Sequence, residues 1–151
     1  MCGFTFHVIG LLLGILSILT LNIQTSTAQT ANLAINSQIW TNVEQNIKVQ
    51  FTYQPQNPVL DQPTQLKFVV QNLKTGEFMK SLHANILVTH NSSGQFSNFR
   101  FGNITVPNGQ FSVIYRFQDT GIYEIITRIS GIDIAVLAPF RVIVPLQPYP
   151  P

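Results

Sequence analysis

The sequence predicts an all-β fold: one antiparallel sandwich of seven short strands, preceded by an N-terminal hydrophobic signal or anchor helix. Three observations carry this expectation. From Ile47 onward apolar residues recur with a period of two. Groups rich in Pro, Asn and Gly punctuate these runs at short intervals. No window past the first segment shows the 3.6-residue spacing of a helix, so the strands must bury their apolar faces against one another in two layers.

The elements follow in order. Val8 to Leu21 is an apolar run closed by Ser26-Thr27-Ala28, small residues that suit signal peptidase, so cleavage is predicted after Ala28. The preceding residues carry no Lys or Arg, and the apolar run rivals the roughly 20 residues of a membrane span. An uncleaved anchor over 1–28 is therefore the alternative. Residues 29–46 read as an N-terminal lead rich in Asn, Gln and Thr. The sandwich is expected over 47–145. Its first strand sets Ile47, Val49, Phe51 and Tyr53 against Lys48, Gln50, Thr52 and Gln54. A loop with Pro55, Pro58 and Pro63 follows, then Leu66, Phe68 and Val70 on a second strand. Asn72 to Glu77 is a turn, Ala84 to His90 the third strand, and Asn91 to Gly94 another turn. Phe99 and Phe101 mark the fourth strand, and Pro107-Asn108-Gly109 a strong turn. Phe111, Val113, Tyr115 and Phe117 line the fifth. The sixth runs from Ile122 to Ser130 and the seventh from Ala135 to Val144, where Pro139 demands an edge or a bulge. The Pro-rich tail, 146–151, is expected to leave the domain extended.

Asp119-Thr120-Gly121-Ile122-Tyr123 sharpens the architecture. A Tyr two residues after a Gly, where a strand begins, suits a buried ring whose hydroxyl bonds back to nearby backbone, the corner of an immunoglobulin-like sandwich. Asp119, Gly121 and Tyr123 are thus structural candidates, with the Asp119 carboxylate read as an acceptor for the corner backbone. The expected core comprises Val49, Phe51, Leu66, Phe68, Val70, Ile86, Val88, Phe99, Phe101, Val113, Tyr115, Phe117, Tyr123, Ile125 and Ile129.

Composition limits the function. Charged residues are 9% of the 151, against about 25% in an ordinary domain. A net charge of +2 gives no strong field, so nucleic acid is not an expected partner. The single Cys lies in the leader at Cys2, so the exported domain is expected to hold together without disulfides and to lack thiolate chemistry. Two sequons, at Asn91 and Asn103, are candidate glycosylation sites.

Few residues suit chemistry. His83 and His90, seven apart, should point to opposite faces of one strand and so form at most a weak candidate metal pair. The six acids are dispersed, and no nucleophile elbow, phosphate loop or zinc helix motif occurs. No catalytic residue and no cofactor are expected. Val69, Ile114 and Ile126 lie opposite the main apolar set of their strands and are candidate interface residues. Trp40 is expected to pack over one end of the sandwich, with a partner anchor as its other reading.

Several segments carry a resemblance: Pro55-Gln56-Asn57-Pro58, Thr64-Gln65-Leu66-Lys67-Phe68, Asn72-Leu73-Lys74-Thr75-Gly76, Gly109-Gln110-Phe111-Ser112-Val113 and the Asp119 to Tyr123 corner. Together they resemble small exported prokaryotic domains of the YtkA-like kind, immunoglobulin-fold modules related to the CopC-like copper carriers. The Asn- and Gln-rich cast also resembles secreted proteins of ammonia-oxidising archaea. The copper-carrier resemblance implies a histidine at the mature N-terminus, where this chain has Gln29, so half of that ligand set is missing. Where antibody domains keep a Cys two residues after the corner Tyr, this chain has Ile125. The expected function is a non-catalytic extracytoplasmic module, an accessory or surface protein that binds another protein. A copper or other metal carrier of the cell surface, and an accessory subunit of a membrane complex tethered through 1–28, are the alternatives.

Overall fold

The structure, a computed structural model, describes residues 37–148. The leader over 1–28, residues 29–36 of the lead and residues 149–151 of the tail lie outside the described residues. The described chain is all β. Its strands are β1 (Gln38–Asn42), β2 (Ile47–Gln54), β3 (Pro63–Asn72), β4 (Leu82–Ser92), β5 (Gln95–Val106), β6 (Gln110–Arg116), β7 (Gly121–Ser130) and β8 (Ala135–Val144). They form two antiparallel four-stranded sheets, β1-β2-β3-β6 and β5-β4-β7-β8, packed as a sandwich. Among the described residues no helix is long and apolar enough to cross a membrane.

Eight strands replace the expected seven. The additional one, β1, falls inside the segment read as a lead. It pairs with β2, Trp40 opposite Val49, and the Trp40 ring packs against the core. Its inward set, Gln38, Trp40 and Asn42, is mostly polar, so the period-two signal that marks the other strands is absent here.

The core forms where the two inner faces meet. Phe140 of β8 stacks on Phe51 of β2 at 5.0 Å between centroids and lies 6.2 Å from Phe68 of β3. Every second residue of β8, from Val136 to Val144, is buried, and Ile47, Leu82 and Val106 close the ends. Ile125 is fully buried, with Phe140 and Val88 as its cross-strand neighbours.

Four expected core residues are corrected. Phe99 is 50% exposed, while Phe101, Val113 and Tyr115 are only partly buried and pack against the core from its margin. All four belong to β5 and β6, the edge strands on one side of the sandwich. Their apolar faces point inward, but among the described residues no further strand of the opposite sheet covers the gap beyond them.

The other side is closed. β8 is an edge strand, as Pro139 required. Its residues Ala135, Leu137, Pro139, Arg141 and Ile143 share the parity that turns backbone groups outward from β7. At Arg141 the Gln38 side chain takes both groups: Nε2 donates to the carbonyl and Oε1 accepts from N–H. Gln45 does the same at Ala135, its Nε2 donating at 3.2 Å and its Oε1 accepting at 3.1 Å. Pro139 has no N–H to offer. Two glutamine amides and a proline thus blunt the edge that would otherwise template strand addition.

Candidate functional site

The corner forms from three local choices. Gly121 has φ +121°, a region closed to residues with a side chain, and a Cβ there would meet Nε2 of His90 at 3.1 Å. That turn drops Tyr123 into the core, 2% exposed. Its hydroxyl accepts from the Asp119 N–H at 3.0 Å and donates to the Asp119 carbonyl at 3.2 Å. Asp119 therefore serves through its backbone, and the expected role for its carboxylate is corrected. Loss of water around the ring pushes the Tyr123 hydroxyl pKa upward, and the Asp119 charge adds to the rise, offset in part by the hydrogen bond accepted from the Asp119 N–H. Tyr115 is raised by burial and then by its proximity to Tyr123.

The two histidines lie on opposite faces of β4. His83 is exposed, next to Thr105 and Ser130 in register. His90 is buried, paired with Tyr123 and stacked on its ring at 4.0 Å and 9°. The pair cannot meet on one ion, and among the described residues no three of His, Cys, Asp and Glu gather into a ligand set. Chain pattern could not reveal the role of His90, because its partner stands on another strand.

Both sequon asparagines are exposed. Asn91 stands beside Phe96 just before the tight Ser93-Gly94 turn, in which both residues have positive φ. Asn103 occupies a β-bulge where β5 carries one residue more than β4. Its φ is +55°, and its N–H donates to Oδ1 of Asn85 at 3.1 Å.

The candidate interface residues do not share a face. Val69 and Ile114 point outward from the β1-β2-β3-β6 sheet, whereas Ile126 points outward from the opposite sheet. Trp40 is covered by its own domain.

A feature missed by sequence pattern lies between β5 and β6. Phe99 and Phe101 of β5 meet edge-on at 4.9 Å, and Tyr115 of β6 lies 5.7 Å from Phe99. Rings continue inward through Phe117, 5.0 Å from Tyr115 and 4.6 Å from Tyr123. This aromatic row runs from half-exposed Phe99 to the buried corner. On its outward face β5 also carries Phe96, 75% exposed. β5 spans 12 residues with Arg100 as its only charge, and nothing like the glutamine clamps of β8 covers its outer edge among the described residues. An apolar seam beside a long unpaired edge is suited to non-covalent docking.

Compared with known proteins, the chain matches no family model and no curated protein.

Proposed function

We propose that this chain is a non-catalytic extracytoplasmic interaction module of the immunoglobulin-like kind, an accessory or surface protein that binds another protein along β5. One observation carries the reading: the β8 edge is blunted at Ala135, Pro139 and Arg141, whereas β5 is long, almost uncharged and backed by half-exposed Phe99 with partly buried Phe101 and Tyr115. A partner strand added to β5 gains main-chain hydrogen bonds and covers Phe99 together with Phe101 and Tyr115. The Tyr123 corner and the order of the strands support immunoglobulin-like topology, and the apolar run before Ala28 supports export or tethering to a membrane complex. The YtkA-like resemblance points the same way, without the copper site.

The test is capture of partners from native membranes with the full chain, read by mass spectrometry. A partner held by the parent chain should be lost in Phe99→Asp, and its binding should slow amide exchange along β5. A clean monomer at high concentration with no captured partner, or capture unaffected by Phe99→Asp, overturns the proposal.

A further inference from the structure

The outer face of the β5-β4-β7-β8 sheet carries a groove of about 270 Å³, away from the β5–β6 seam. Its floor is Leu87 and Ile126, paired neighbours on β4 and β7, with Leu137 of β8 along one side. Arg100 of β5 stands beside Leu87, and Arg128 of β7 stands between Asn85 and Leu137. The bulge at Gly102 and Asn103 opens the relief, because Gly102 places no side chain next to Asn85.

Charge makes this groove unusual. The chain has four arginines, and three of them, Arg100, Arg128 and Arg141, fall on this one face. Its single carboxylate is Glu124, which lies opposite Arg141 in register. The remaining five acids all lie in loops and turns. Among the described residues neither Arg100 nor Arg128 has an ion pair or a side-chain hydrogen bond. A guanidinium beside exposed aliphatic surface is arranged for a carboxylate brought by something else.

Spacing narrows the ligand further. Arg100 and Arg128 are separated by two strand gaps and by one step of two residues, which places their Cα atoms about 12 Å apart. Along an extended chain, residues i and i+4 lie about 13 Å apart on one face, with i+2 between them. We propose that this groove binds an acidic, extended segment of a partner protein, with carboxylates at i and i+4 on Arg100 and Arg128. An aliphatic residue at i+2 then seats beside Leu87 and Ile126. The net charge of only +2 disfavours a broad anionic surface as the occupant and favours discrete carboxylates.

The test uses the full chain and the peptide acetyl-Ser-Glu-Thr-Leu-Thr-Glu-Ser-amide. Saturable binding is expected, with methyl shifts centred on Leu87 and Ile126. Replacing both peptide glutamates by glutamine should abolish it. Arg100→Gln and Arg128→Gln should each weaken it roughly tenfold, with unchanged urea midpoints confirming that the variants fold. Absence of saturation at millimolar peptide, equal affinity for the glutamine peptide, or undiminished binding by the double variant overturns the proposal. Arginine-dependent binding to phosphatidylglycerol vesicles without peptide binding also overturns it, in favour of a lipid surface. These outcomes leave the β5 reading untouched, since Phe99→Asp does not alter this groove.

Discussion

Tyr123→Phe removes one oxygen and leaves the ring. The lost hydroxyl makes two hydrogen bonds, both to the Asp119 backbone, at 3.0 and 3.2 Å. A net hydrogen bond contributes about 1 kcal/mol, and a buried group left without a partner costs about 1–3 kcal/mol. Asp119 is itself exposed, so water reaches part of the vacated position and the upper range does not apply. The expected loss is about 1.5 kcal/mol. With a urea slope of about 1.5 kcal/mol per M, the midpoint should fall by about 1 M at unchanged slope. Equilibrium unfolding at neutral pH, followed by tryptophan fluorescence from Trp40, reads this directly. Asp119→Ala serves as the companion variant. Because the corner uses backbone groups, it should shift the midpoint by less than a third as much. A Tyr123→Phe midpoint equal to that of the parent would refute the corner as a stabilising contact. A larger effect from Asp119→Ala would show that the carboxylate carries it instead.

Three further outcomes follow from particular residues. Thr127 is fully buried with no hydrogen-bond partner for Oγ1, so Thr127→Val should stabilise by about 1 kcal/mol, seen as a higher urea midpoint; a lower one would locate a partner for the hydroxyl. Gly121→Ala should destabilise by about 2 kcal/mol, because φ +121° strains any side chain and the new methyl presses on His90; thermal unfolding checks it, and a neutral result would mean that the turn relaxes. Tyr115 and Tyr123 both have pKa values raised above 10.0 by burial. The folded state therefore keeps protons that the unfolded state releases. Stability is full below pH about 10 and declines as pH rises further. Urea midpoints across that range should fall, and less steeply in Tyr123→Phe.

Much of the strand plan can be read along the chain, and the reason is physical. Side chains of a strand alternate faces, so Ile47 to Gln54 states its own inward and outward sets, and it coincides with β2; Ala135 to Val144 coincides with β8, but its nearly all-apolar sequence does not say which side is buried, and its inward set from Val136 to Val144 was not expected in the core. The corner was equally open to reading, because Gly121 and Tyr123 act within one short segment. By contrast β1 was hidden, since its inward residues are largely amides. The candidate site was harder still. Phe99 and Tyr115 have the alternation of core residues, and alternation reports only which face of a strand is apolar.

Local pattern thus determined seven of the eight strands, most of the turns, and the opposite faces on which the two histidines stand. Tertiary structure alone decided which apolar faces are covered. Burial of Phe68 and exposure of Phe99 differ not in local sequence but in whether the opposite sheet extends over them. The same holds for the blunted edge of β8, made by Gln38 from 103 residues away, and for Arg100 and Arg128, brought to either side of one groove by strand order. Edges, seams and grooves are relations between strands, and pairing across the sandwich, rather than sequence along it, creates them.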